Sequence, residues 1–105
     1  MTPKEKKQYE ARAKILKALA HPTRLWIARQ LSDGEHCVCE FVDAVDVDFS
    51  TVSKHLTVLK EAGIVESEKR GKQVYYRLKI PCVLKFMECI DAVIQAQILE
   101  QSDLL

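Results

Sequence analysis

Hydrophobic residues recur at a helical period through the first part of the chain. Apolar positions three and four residues apart predict four helices, over residues 3–19, 22–31, 37–45 and 49–62. Asp48 is predicted to cap the fourth helix, since a carboxylate at that position accepts a backbone N–H. Gly63 follows that helix and can adopt the left-handed conformation that ends it.

The period changes after Gly63. Alternating positions predict two strands, residues 64–69 and 73–78, joined through Arg70-Gly71-Lys72 as a β-hairpin with a cationic tip. Pro81 then starts a last helix that runs to about Ser102. Its apolar surface is wider than one small domain needs, and no later element could cover it, so we expect part of it to form a dimer interface. The residues of this surface are Val83, Phe86, Met87, Ile90, Val93, Ile94, Ile98 and Leu99.

The third and fourth helices, joined by the short turn Asp46-Val47-Asp48, form a helix-turn-helix, and the hairpin follows as a wing. The predicted fold is mainly α with a β-hairpin, a winged helix-turn-helix. The exposed face of the fourth helix combines hydroxyls with cations, which suits a recognition helix in a DNA major groove. The alternative is an ordinary solvated face, but such a face usually mixes charges of both signs. The predicted DNA-binding residues are Ser50, Thr51, Ser53, Lys54, His55, Thr57 and Lys60, with Arg70 and Lys72 of the hairpin tip.

Length and charge narrow the class of protein. The chain has 105 residues, 48% of them hydrophobic, which predicts one domain over residues 1–105 and argues against a multi-step enzyme with its own cofactor fold. The net charge of +1 hides a segregated chain: residues 1–30 carry +6, residues 31–49 carry −6, residues 50–79 carry +4 and the remainder −3. No segment has the pattern of a signal peptide or a membrane span, so we expect a cytoplasmic protein.

Four blocks occur in the order found in a known family: AHPTRL at 20–25, GEHCVCEF at 34–41, STVSKHLTVLKEAGIV at 50–65 and GKQVYYRL at 71–78. In these blocks the chain resembles the ArsR/SmtB family of metal-sensing winged-helix repressors, and its CVC resembles that of the arsenic-responsive branch. The resemblance implies a homodimer, formed by the N- and C-terminal helices, that binds operator DNA as apo-protein and releases it when a metal or metalloid binds. Phe49 stands where the family commonly has Gln, so we expect it to pack or to touch a thymine methyl.

The chain has four cysteines, Cys37, Cys39, Cys82 and Cys89, in a compartment expected to keep thiols reduced. The resemblance implies that Cys37 and Cys39 bind As(III) or Sb(III). Cd(II) and Pb(II) are chemical alternatives, because soft ions prefer thiolates. Residues i and i+2 of a regular helix point about 200° apart, so both sulfurs can meet one ion only if the first turn of the third helix is irregular or distorts.

Trivalent arsenic takes three sulfurs, and Val42 occupies the position of the family's usual third cysteine. We therefore expect the third ligand from Cys82 or Cys89, from His36, or from a small thiol in solution; the alternative for Cys82 and Cys89 is simple burial. A zinc site on the last helix is not expected, since that helix has no His. A redox sensor that forms a disulfide is a further alternative. A thiol enzyme is less favoured, because the chain has no CxxC motif.

Overall fold

The computed structural model describes residues 1–45 and 48–103. This part of the chain contains five helices and one three-stranded antiparallel sheet with strand order β1-β3-β2. The helices are α1 (Pro3–Leu19), α2 (Pro22–Leu31), α3 (Val38–Val45), α4 (Phe49–Glu61) and α5 (Val83–Asp103). The strands are β1 (His36–Cys37), β2 (Val65–Arg70) and β3 (Gln73–Leu78). The predicted winged helix-turn-helix is confirmed.

Local capping contacts place the ends of the helices that carry the site. His21 Nδ1 accepts the backbone N–H of Thr23 at 3.1 Å and starts α2. The Asp48 carboxylate accepts the backbone N–H of Thr51 at 2.8 Å, as predicted for the start of α4. Gly63 has a φ of 79°, the left-handed conformation predicted after that helix. Of the predicted turn Asp46-Val47-Asp48, the first two residues lie outside the described residues.

The core lies between α2, α3, α4 and the sheet. Phe41 on α3 packs edge-on against Trp26 of α2, with ring centroids 5.8 Å apart. The predicted apolar stripe of α4, Val52, Leu56 and Leu59, is completely buried. Burying that stripe fixes α4 on the core with its opposite face toward solvent, which is the orientation that a recognition helix requires.

The sheet has a strand that the sequence pattern did not predict. His36 pairs with Tyr76 and Cys37 pairs with Tyr75, so β1 covers the outer edge of the hairpin. The prediction that Cys37 begins the third helix was therefore wrong, because Cys37 is the last residue of β1 and α3 begins at Val38. Pairing with β3 satisfies backbone groups that an uncovered strand edge would leave open.

The last helix begins later than predicted. Pro81 and Cys82 form a turn in which the Val83 N–H donates to the carbonyl of Ile80 at 3.1 Å, and α5 starts at Val83. Apolar side chains are exposed along α5, and α1 exposes Ile15 and Leu16. None of the helices in the described ranges combines the length and apolar character that a membrane crossing requires. The exposed residues of α5 are Phe86, Ile90, Val93, Ile94, Ile98 and Leu99.

Candidate nucleic-acid interface and thiol site

The outer face of α4 presents hydroxyls and cations. Ser50, Lys54, Thr57 and Lys60 are exposed, whereas Thr51, Ser53 and His55 are partly buried. The Thr57 hydroxyl donates to the backbone carbonyl of Ser53 at 2.8 Å. Within the described ranges, Lys54 and Lys60 form no ion pair, so both ammonium groups can meet phosphates. The role of each residue in DNA binding stays a prediction.

The side chain of His55 contacts α2 and the residue that caps it. Arg24 Nε donates to His55 Nδ1 at 3.2 Å, and the ring of His21 lies 4.4 Å from the ring of His55. Burial lowers the pKa of His55, and the nearby His21 and Arg24 lower it further. An imidazole that accepts at Nδ1 and stays neutral carries its proton on Nε2. His55 is thereby fixed as an Nε2 donor, which can address an acceptor on a base edge.

The wing carries an ion-pair network. Arg70 contacts Glu35 through two hydrogen bonds, of 2.6 and 3.0 Å, and Glu68 at 2.8 Å. Arg77 contacts Glu68 at 2.9 Å and Glu66 at 3.2 Å. These contacts raise the pKa of Arg70 and of Arg77, and hydrogen bonds from Arg70 lower the pKa of Glu35 and of Glu68. Arg70, a predicted phosphate ligand, is thus already engaged by two carboxylates.

Lys72, the other predicted cation of the tip, is exposed. It lies between Gly71 and the first residue of β3, and it makes no ion pair with another described residue. Of the two predicted DNA-binding cations of the tip, Arg70 is therefore compensated within the protein and Lys72 is open to an external phosphate.

Cys37 and Cys39 meet where the sheet joins α3. Cys37, at the end of β1, is buried, whereas Cys39, in the first turn of α3, is exposed. Their Cα atoms are 5.3 Å apart and their Sγ atoms are paired as a disulfide. The change from strand to helix between them supplies the irregular first turn that two converging sulfurs require. Sγ of Cys37 also lies 2.9 Å from Oε1 of Gln73 on β3.

The other predicted ligands lie apart from this pair. Cys82 and Cys89 are exposed rather than buried. His36 Nδ1 lies 2.5 Å from a carboxylate oxygen of Glu40. Over residues 1–45 and 48–103 of one chain, no three Cys, His, Asp or Glu side chains form a group that could hold a metal ion. Their assignment as third ligands stays a prediction.

Sequence reasoning missed Gln73 and Glu35, the two side chains that link the thiol pair and the wing. Both contacts depend on β1, which brings residues about 35 positions apart in sequence together across the sheet. Two residues are too few to show an alternating pattern, so the sequence held no local signal for that strand.

A helix-turn-helix whose second helix exposes hydroxyls and lysines, followed by a hairpin, defines a winged-helix DNA-binding fold. Residues 21–67 match the family described as "Bacterial regulatory protein, arsR family". The chain belongs to this family, whose named relatives are transcriptional regulators.

Two curated relatives illustrate the family. The chain is 43% identical over 76 residues to the HTH-type transcriptional repressor SmtB of Mycobacterium tuberculosis, an alignment that covers 72% of this chain and 56% of the relative. It is 45% identical over 65 residues to the arsenical resistance operon repressor of Escherichia coli, covering 61% of this chain and 56% of the relative. The chain thus spans about half the length of each.

Two solved structures share the fold. The repressor BigR from Xylella fastidiosa is 33% identical with a TM-score of 0.72, covering 89% of this chain and 96% of that one. The homodimeric winged helix-turn-helix DNA-binding domain of Mb0332 from Mycobacterium bovis is 28% identical with a TM-score of 0.78, covering 93% and 91%.

Proposed function

We propose that two copies of this chain form a transcriptional repressor that binds operator DNA and releases it when As(III) or Sb(III) binds Cys37 and Cys39. One observation carries the proposal: the two sulfurs converge at the junction of the wing sheet and α3. The likeness to the Escherichia coli arsenical resistance operon repressor supports it. In this proposal residues 1–105 act as one DNA-binding and sensing domain.

The repressor places α4 in the major groove. Ser50, Thr51, Ser53, His55 and Thr57 face base edges, while Lys54 and Lys60 neutralise phosphates. The side chain of Phe49 is 59% exposed at the start of α4, where it can pack against a thymine methyl. Lys72 binds the phosphate backbone beside the groove, and Arg70 joins it only if its carboxylate partners release it.

Metalloid binding uses the reduced pair. Each thiol that binds displaces one hydroxyl of arsenous acid as water, so two cysteines release two waters. A soft trivalent centre prefers sulfur over the nitrogen and oxygen donors nearby. The third sulfur comes from Cys82 or Cys89 of the second copy, or from a small thiol, since both cysteines are exposed.

The position of the pair explains how binding reaches DNA. Cys37 belongs to the sheet and Cys39 to α3, so a centre that holds both sulfurs fixes the angle between these elements. Packed elements have discrete arrangements, and a new angle at this junction is transmitted to α4 and to the wing.

The dimer covers the apolar faces of α1 and α5. A single chain leaves these side chains exposed, and a twofold dimer buries the same face on both copies. The homodimeric Mb0332 domain, which shares the fold, supports this assembly.

Operator release is the test. DNA selected by the protein from a random library is titrated with the reduced protein, with and without sodium arsenite, by fluorescence anisotropy. Cys37→Ser and Cys39→Ser should bind the selected DNA and keep it in arsenite, whereas the unchanged protein should lose it. If the double variant still released DNA, the sensing site would lie elsewhere. Parallel titrations with Cd(II) and Pb(II) decide which ion is the inducer.

Salt dependence separates DNA binding from a protein-interaction role of the same fold. Several phosphate contacts make the affinity fall by orders of magnitude between about 50 and about 200 mM salt. An affinity that does not change with salt would contradict an operator-binding surface on α4 and the wing. X-ray absorption of the arsenite-loaded protein counts its sulfur ligands, and the Cys82→Ser and Cys89→Ser variants show which supplies the third.

A second candidate is a redox-responsive repressor, favoured by the disulfide pairing of Cys37 and Cys39. In this reaction hydrogen peroxide oxidises the two thiols to a disulfide and is reduced to two waters. Peroxide without metal would then release DNA, and a dithiol reductant would restore binding. Release by arsenite at constant reducing potential, with no response to peroxide, would exclude this candidate.

A further inference from the structure

We propose that Gln73 is a positioning residue that couples the Cys37/Cys39 pair to the wing. The inference rests on the proposed function, in which this pair is the sensing site. Sγ of Cys37 lies 2.9 Å from Oε1 of Gln73, and Gln73 is the first residue of β3, immediately after the tip Gly71-Lys72. One side chain therefore joins the sulfur to the base of the predicted phosphate-binding tip.

The register of the sheet explains why Gln73 reaches the sulfur. Cys37 pairs with Tyr75, and side chains two residues apart on a strand share a face, so Gln73 lies on the face of Cys37. Two further residues of pairing would place Cys39 opposite Gln73. The chain turns into α3 at Val38 instead, and the side chain of Gln73 contacts Sγ of Cys37, the last residue of β1.

The same face continues into the ion-pair network. Arg70 is the partner of Gln73 on β2, and its guanidinium lies 4.8 Å from the ring centroid of Tyr75. Arg70 also holds Glu35, two residues before Cys37. The sulfur thus contacts Gln73, Gln73 pairs with Arg70 across the hairpin, and Arg70 binds Glu35 just before β1, so a shift of β1 is transmitted to both strands of the wing.

The chemistry of the contact changes with the state of the sulfur. In the reduced protein the Cys37 thiol donates its proton to the amide oxygen of Gln73, whereas the sulfur has no proton to donate when it is paired with Cys39 or bound to As(III). The side chain of Cys37 is 3% exposed, whereas Gln73 is exposed, so the amide oxygen of Gln73 exchanges its bond to the sulfur for one to water. When As(III) binds, Gln73 loses its hydrogen bond to Cys37, which weakens the contact between the start of β3 and β1.

A binding cycle tests the coupling. Operator affinity is measured for the reduced protein and at saturating sodium arsenite, in the unchanged protein, in Gln73→Leu and in the control Ser67→Ala, which alters the opposite face of β2. The factor by which arsenite weakens operator binding should fall about fivefold in Gln73→Leu, the equivalent of one hydrogen bond, and stay unchanged in Ser67→Ala. An unchanged factor in Gln73→Leu overturns the inference.

A second measurement needs neither DNA nor metalloid, so it separates this inference from the proposed function. Hydrogen exchange of the β3 amides is compared between the reduced protein and the protein whose pair has been oxidised by hydrogen peroxide. Oxidation should change the hydrogen-exchange rates of residues 73–76 in the original protein and in Ser67→Ala. The same change in rate should be smaller in Gln73→Leu. If exchange in the unchanged protein does not respond, the pair is not coupled to the wing, whatever arsenite does to DNA binding.

Discussion

Truncating Phe86 on α5 should weaken the dimer without unfolding the chain. Phe86 is 47% exposed in a single chain and shares one face of α5 with Ile90 and Val93. If the dimer buries this face, the exposed half of the ring leaves water only on association. Phe86→Ala therefore removes an interaction that belongs mainly to the dimer.

The magnitude follows from the buried fraction. Full burial of a Phe side chain is worth about 1.5–3 kcal/mol, so the exposed half is worth roughly 0.7–1.5 kcal/mol per copy. A twofold interface contains the residue twice, which doubles the loss to about 1.5–3 kcal/mol per dimer. The dimer dissociation constant should rise about 10- to 100-fold.

Phe49 provides a matched control, because it is 59% exposed but lies at the start of α4. Phe49→Ala makes the same chemical change and should leave the dimer dissociation constant unchanged, while altering operator selectivity. Sedimentation equilibrium over a range of concentrations measures both variants. A Phe86→Ala dimer as tight as the original, or equal weakening by Phe49→Ala, would refute the placement of the interface on α5.

Three further predictions concern α4. Leu56 is completely buried, so Leu56→Ala should lower the free energy of unfolding by about 2–5 kcal/mol in urea titrations, whereas exposed Lys54→Ala should change it by less than about 0.5 kcal/mol. Burial lowers the pKa of His55 below 6.5, so as the pH falls the imidazole is protonated in the unfolded chain before it is protonated in the folded chain. Stability should fall as pH drops below 6.5, less steeply in His55→Gln; an identical slope would contradict this. Hydrogen bonds from Thr51 lower the pKa of Asp48 below 3.8. The charged Asp48 therefore stabilises the folded chain fully above pH 3.8, and this stabilisation should be lost as the pH falls through the lower pKa of the folded state. The acid unfolding titration of Asp48→Asn should lack this loss.

Local features of the sequence were enough to predict the helices, although α3 and α5 begin at Val38 and Val83, later than predicted. The caps at His21 and Asp48 and the left-handed Gly63 each act within a few residues, and the apolar stripe of α4 follows one period. The hairpin was predictable for the same reason. The candidate face of α4 could be listed from the same period, but the contact of His55 with Arg24 joins two helices and needs the tertiary structure.

Strand β1 shows why the rest of the site could not be predicted. Its two residues carry no period of their own, and they become a strand because β3, almost forty residues later, offers an open edge. A regular helix through Cys37 and Cys39 would have sent the two sulfurs in nearly opposite directions. Ending β1 at Cys37 brings the sulfurs together and makes one of them a member of the wing sheet. A thiol site within one helix would act through that helix alone, whereas in the proposed repressor this site acts on both the sheet and α3, because Cys37 lies on β1 and Cys39 on α3.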